Sequence, residues 1–144
     1  MATEPTTTLT SHTRRMIESH PEPVSLELGA VLACIQTCLD CAQACVSCAD
    51  ACLAEENVKA LVRCIRLDQD CADLCEATAK ILSRQTAFDK ELAITTLRAC
   101  ESACRICAEE CERHADAMEH CNVCADACRT CEQACRNLLE VSTQ

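Results

Sequence analysis

Between residues 34 and 52 the chain reads CIQTCLDCAQACVSCADAC, with cysteines at Cys34, Cys38, Cys41, Cys45, Cys48 and Cys52. A thiolate is both a nucleophile and a soft metal ligand, so a dense set of thiols calls for a chemical reading first. The steps alternate between 4 and 3 residues. At ~100° per residue, all of these side chains fall within an arc of ~80° on a helix. A strand would scatter them over both faces. The pattern therefore predicts a helix carrying one continuous sulfur stripe where Leu or Ile would ordinarily stand.

The stripe recurs along the chain. Cys64, Cys71 and Cys75 form a sparser second set, with Asp68 at the missing step. Cys100, Cys104, Cys107 and Cys111 form a third, and Cys121, Cys124, Cys128, Cys131 and Cys135 a fourth. All 18 cysteines belong to these sets. Asp68 points inward by the same periodicity, and a buried carboxylate needs a partner. A metal ligand or supporting role and a structural ion pair are its two readings, the first slightly favoured.

Several chemistries compete for the thiols. Two or three cysteines would pass as small buried hydrophobes, but a whole core of them would carry an oxidation hazard that Ala avoids. A disulfide framework suits short secreted chains, and thiols at i,i+3 and i,i+4 on one helix are badly placed to bridge. The C-x-x-C pairs at 38/41, 45/48, 104/107, 121/124 and 128/131 lack the βαβ context of a thioredoxin-type site. Iron–sulfur clusters usually draw on a C-x-x-C-x-x-C run, which is not present. Structural zinc takes four ligands in a closed site and has no use for a tube of thiols. Cu(I) fits best: it is soft and is satisfied by few sulfur ligands that neighbouring ions can share. At about one Cu⁺ per deprotonated thiol the core stays near neutral, whereas divalent ions at that loading would bury a large net charge. A zinc or cadmium buffer remains the alternative. A di-iron oxidase on the same architecture would need inward Glu and Glu-x-x-His pairs, and no Glu-x-x-His occurs.

These stripes must be positioned by long helices. The only Gly is Gly29, and Pro5, Pro21 and Pro23 all precede the first stripe, so the remainder can run uninterrupted. Ser25 is expected to cap a first bundle helix that runs to about Glu55. Asn57 caps a second, to about Ser83, with metal ligation as its lesser reading. Thr86 with Asp89 forms a capping-box pattern for a third, ending near His114. Asp116 and Glu119 place acids at the start of a fourth, through about Val141. Short connections make neighbours antiparallel. The expected fold is all-α, an up-down-up-down four-helix bundle over residues 25–144 with a cysteine-lined core. Residues 1–24 are expected to be a flexible leader, Thr-rich over 1–12, with a short helix within 12–20 ending at Pro21. His12 and His20 are read as leader residues without function.

Antiparallel order gives the bundle two unlike ends. One gathers Cys52, Asn57, Cys111, His114, Met118, His120 and Cys121, a set rich in metal-binding side chains. The other gathers Leu28, Val31, Leu82, Leu97, Leu138 and Leu139, an apolar plug. A single mouth is expected, with His114 the better histidine ligand because it continues the third stripe. Asp40, Glu76, Arg105, Glu109, Glu132 and Arg136 are read as solvated surface.

A formal charge of −10 argues against nucleic acid or an anionic membrane as partner. No apolar run is expected to span a membrane. Arg14 and Arg15 suggest a twin-arginine export signal, but the MIESHPEPVS that follows has no apolar core. The chain is expected to stay in the cytoplasm, where thiols are kept reduced.

With its four stripes, CIRLDQDCADLC at 64–75 and CERHADAMEHC at 111–121, the sequence resembles the bacterial copper storage proteins, and among them the cytosolic branch. The resemblance covers about residues 25–140. It implies a homotetramer of four-helix bundles whose lumen fills with many Cu(I) ions. It also implies storage or sequestration and no enzymatic turnover, with a copper chaperone or a copper-requiring enzyme as donor or recipient. Met residues are prominent at the mouth in the exported branch; here Met118 stands there beside His114 and His120.

Overall fold

The computed structural model describes residues 5–144, with side chains from His12 onward. Its helices are α1 (Pro5–Glu18), α2 (Leu28–Leu53), α3 (Val62–Ser83), α4 (Lys90–His114) and α5 (Glu119–Ser142), with a 3₁₀ turn at Val58–Leu61. The pairing of sulfurs gives the topology directly. Going up α2, Cys34, Cys38, Cys41, Cys45 and Cys48 meet Cys135, Cys131, Cys128, Cys124 and Cys121 going down α5, at 3.6–3.9 Å. On the other side, Cys64, Cys71 and Cys75 of α3 meet Cys111, Cys104 and Cys100 of α4 at 3.8 Å each. Both pairs are thus antiparallel, and α2 through α5 form the expected up-down-up-down bundle.

Helix starts differ from expectation where a longer acid reaches further than Ser. Glu27, rather than Ser25, caps α2, accepting from the amides of Ala30 and Gly29. Ser25 instead donates its amide to Gln85 Oε1 at 3.1 Å. Asp89 alone caps α4, through Leu92 N–H at 2.8 Å. Asn57 begins the 3₁₀ turn without a side-chain capping bond, and α3 starts only at Val62.

Among the described residues the leader holds a longer helix than expected. Residues 1–4, part of the stretch expected to be flexible, lie outside the described residues. The helix begins at Pro5 rather than near His12, and it ends before Pro21 as expected. Pro at a first helical position lacks the amide N–H that would be an orphan there. Ile17 is 5% exposed and joins the core cluster, so α1 is packed against the bundle. His20 is not idle: its Nδ1 accepts from Glu22 N–H at 2.9 Å, and its Nε2 lies 3.2 Å from Thr86 Oγ1. It therefore ties the leader to the α3–α4 loop.

The apolar end is as expected. Val31, Leu82, Leu97, Leu138 and Leu139 are buried, each stabilising by about 1.5–3 kcal/mol on area arguments, while Leu28 is half-buried. One surface reading needs correction. Glu132 is buried, held between Arg129 and Arg136 at 2.9 and 2.8 Å; Arg129 also grips Glu112 and Arg136 grips Glu101, which laces α4 to α5. Asp40, Glu76, Arg105, Glu109 and Arg136 are exposed as read. And α2, at 26 residues with a window of mean hydropathy 1.5, is long and apolar enough to cross a membrane by composition, contrary to expectation. Half of that window is buried among its neighbours.

Candidate metal centre

Every cysteine is free and buried. The helices place them by period alone: a 4-3-4-3 spacing keeps each thiol on the face that packs inward. The result is a continuous column of sulfur. Cys41 Sγ lies 4.0 Å from Cys45, 3.9 Å from Cys71 and 3.7 Å from Cys128. Cys75 lies 3.8 Å from Cys100, 3.7 Å from Cys104 and 3.9 Å from Cys131. Four-thiol groups follow one another, the last three with shared members: Cys38/Cys100/Cys131/Cys135, Cys41/Cys71/Cys75/Cys104, Cys41/Cys45/Cys71/Cys128 and Cys45/Cys107/Cys124/Cys128. Within each, the donor atoms all lie within 4.8 Å of one another.

Asp68 sits inside this column, fully buried, as its stripe position required. Its Oδ1 accepts from Cys107 at 3.1 Å, Cys124 at 3.3 Å and Cys111 at 3.7 Å, while its Oδ2 has no partner. Burial, then the thiols of Cys124 and Cys107, push its carboxyl up to about 11. In the metal-free fold it is therefore a neutral acid with an oxygen to spare. Thiols also perturb each other. A hydrogen bond from Cys135 pulls Cys34 down to about 6, and one from Cys111 pulls Cys64 down to about 3. Cys52, nearer the end, is pushed up to about 11 by burial.

At the end where α2 and α4 finish and α5 begins, the two histidines lie differently. His120 Nδ1 lies 3.5 Å from Cys48 Sγ and 3.7 Å from Cys121 Sγ, and these three with Cys52 form a further four-donor group. His114, favoured from the stripe, turns its Nε2 to Glu110 of its own helix at 3.0 Å. Stripe position fixes the Cα direction, but in the last turn of α4 a buried carboxylate one turn back claims the ring. Met118 is 8% exposed and precedes α5 at its cap position. Asn57 is exposed at the start of the 3₁₀ turn. Leu61, unremarked in sequence, is fully buried at this end. Glu55, whose Oε2 is 2.9 Å from His120 Nε2, was also missed; its place three residues past Cys52 was the available signal.

A family model described as copper storage protein matches residues 29–140. The chain belongs to the copper storage protein family. Among solved structures this copper storage protein is similar to Ccsp of Streptomyces lividans, in a form loaded with 10 copper equivalents, at 48% identity and a TM-score of 0.88. That match covers 90% of this chain and 98% of the other. It is similar also to Cu(I)-bound BsCsp3, at 37% identity and a TM-score of 0.68, covering 76% and 98% of the two chains. A cysteine-rich protein of Bacillus subtilis, YhjQ, is 40% identical over 82 residues, which is 57% of this chain and 72% of that one.

Proposed function

We propose that this copper storage protein holds many Cu(I) ions as thiolates within its bundle, in the cytosol, as a store or sequestering sink without turnover. The observation that carries the reading is the unbroken column of 18 buried free thiols. With metal–sulfur bonds of about 2.3 Å, the length of a zinc–thiolate bond, sulfurs 3.6–4.0 Å apart span an S–metal–S angle of roughly 100–120°. Ions can therefore bridge neighbouring thiols with little movement. The cysteines supply the storage donors, and Asp68 offers its free oxygen among them. His120, Met118 and His114 serve the mouth, where neutral imidazole and thioether suit transient capture.

The setting follows from the relatives. A Ccsp form with five coppers is described as a cytosolic copper storage protein, and this chain is 55% identical to it; the cytosol also keeps such thiols reduced. Assembly as a homotetramer is supported by α2, whose outer face exposes Leu39, Val46 and Leu53 at heptad spacing. A copper chaperone or a copper-requiring enzyme would donate or receive the ions. Zinc or cadmium buffering is not favoured: those divalent ions would charge the column well before it filled.

Competition tests the reading. Reduced protein given Cu(I) and excess Zn²⁺ or Cd²⁺ anaerobically should retain copper as its main cargo after desalting. Retention of the divalent ion in place of copper would overturn the proposal in favour of the buffer.

A further inference from the structure

We infer that Glu55 is a positioning residue for copper capture, holding His120 so that its bare Nδ1 faces the thiols of the mouth. The inference rests on the Cu(I) storage reading above. Glu55 Oε2 lies 2.9 Å from His120 Nε2. An ionised carboxylate only accepts, so Nε2 carries a proton, and in the neutral ring Nδ1 then keeps its lone pair. That lone pair is aimed inward, 3.5 Å from Cys48 Sγ and 3.7 Å from Cys121 Sγ, which are themselves 3.9 Å apart. With Cys52 these atoms make a compact set of three sulfurs and one nitrogen.

Two features separate this pair from an ordinary surface contact. Glu55 donates its backbone amide to Cys52 O at 3.2 Å, so its carboxylate is anchored to the turn that carries one of the thiols. The contact also joins residues 65 apart in sequence, linking the end of α2 to the first turn of α5. The other mouth histidine shows the contrast. His114 is bound by Glu110 on its own helix, and Glu110 is approached by Arg63 at 3.5 Å; neither contact turns that ring toward the set formed by Cys48, Cys52 and Cys121. Glu55 and His120 keep 35% and 25% of their side chains exposed, so an incoming donor can reach them. A carboxylate behind a ligating imidazole fixes its tautomer and orientation and raises its basicity.

The test compares Glu55→Ala, Glu55→Gln, His120→Ala and the double variant Glu55→Ala/His120→Ala with the full chain, reduced and anaerobic. Uptake of the first Cu(I) equivalent is followed by stopped flow and by chelator competition, and the His120 ring by ¹⁵N NMR. Glu55→Ala should weaken or slow first-ion capture by about 10–100-fold, the usual cost of losing such a partner. It should also shift the ¹⁵N signals, leaving total capacity and unfolding temperature near wild type. Glu55→Gln keeps an acceptor oxygen and should recover most of the rate. In the His120→Ala background, Glu55→Ala should add nothing, because it acts through the ring. Wild-type capture by Glu55→Ala, or an equal loss with and without His120, would overturn the inference. Failure of the storage reading would look different: the wild-type chain itself would saturate at a few ions.

Discussion

Replacing Cys41 and Cys128 together by Ala tests whether capacity is a property of the column rather than of separate sites. Their sulfurs lie 3.7 Å apart, and Cys45 lies 4.0 Å from the first and 3.7 Å from the second. Cys41 belongs to at least two four-thiol groups and Cys128 to at least two, one of them in common, so at least three groups each lose a donor or more. With ions shared at about one per thiol, the variant should hold about two to four fewer Cu(I) than wild type. Each substitution deletes one buried sulfur, on the order of 1 kcal/mol of lost packing, so the metal-free bundle should remain folded. Anaerobic titration of both proteins, with copper and protein counted after desalting, gives the difference. An unchanged capacity would show that these thiols do not store copper. A loss of most of the cargo would show that filling depends on one nucleus, not on a distributed column.

Replacing His114, Met118 and His120 together by Ala should slow copper loading and removal while leaving capacity nearly unchanged; transfer to a strong chelator at the wild-type rate would rule out the mouth as the route. The reduced, metal-free chain should already be helical, since its bundle helices contain one Gly and no Pro, and copper should raise its unfolding temperature by linkage. A random-coil far-UV spectrum without copper would contradict this. For Asp68, the folded carboxyl is raised to about 11 against an ordinary value of about 3.9, so the unfolded chain binds fewer protons between those limits. Its contribution to metal-free stability is present below about pH 4 and is lost as pH rises toward about 11. Asp68→Asn should therefore show a shallower fall in unfolding temperature between pH 5 and 8 than wild type, and parallel curves would refute the assignment.

The bundle and its sulfur column were legible because the helical period and the thiols report the same thing: a residue every 3 or 4 positions must face inward, and here each such residue announces its chemistry. Asp68 was legible for that reason too. What escaped lay where periodicity stops. Glu27 caps α2 because its longer side chain folds back on two amides, which a search for Ser and Asp does not find. His20 and Glu55 act through partners 66 and 65 residues away, and nothing in local spacing encodes such contacts. His114 was favoured over His120 on helix geometry, yet the carboxylates of Glu110 and Glu55 decide where each ring points. The apolar strength of α2 was underestimated because thiols were read as ligands and not also as hydrophobes.

The central claim is that the column stores copper at high occupancy. Native mass spectrometry of the reduced chain, titrated anaerobically with Cu(I) in the presence of a competing chelator, measures that occupancy directly. Tight uptake should continue to about one Cu(I) per cysteine thiol, as bridging thiolates allow. Saturation at only about four or five ions, the complement of one isolated cluster rather than of shared bridging thiolates, would contradict it.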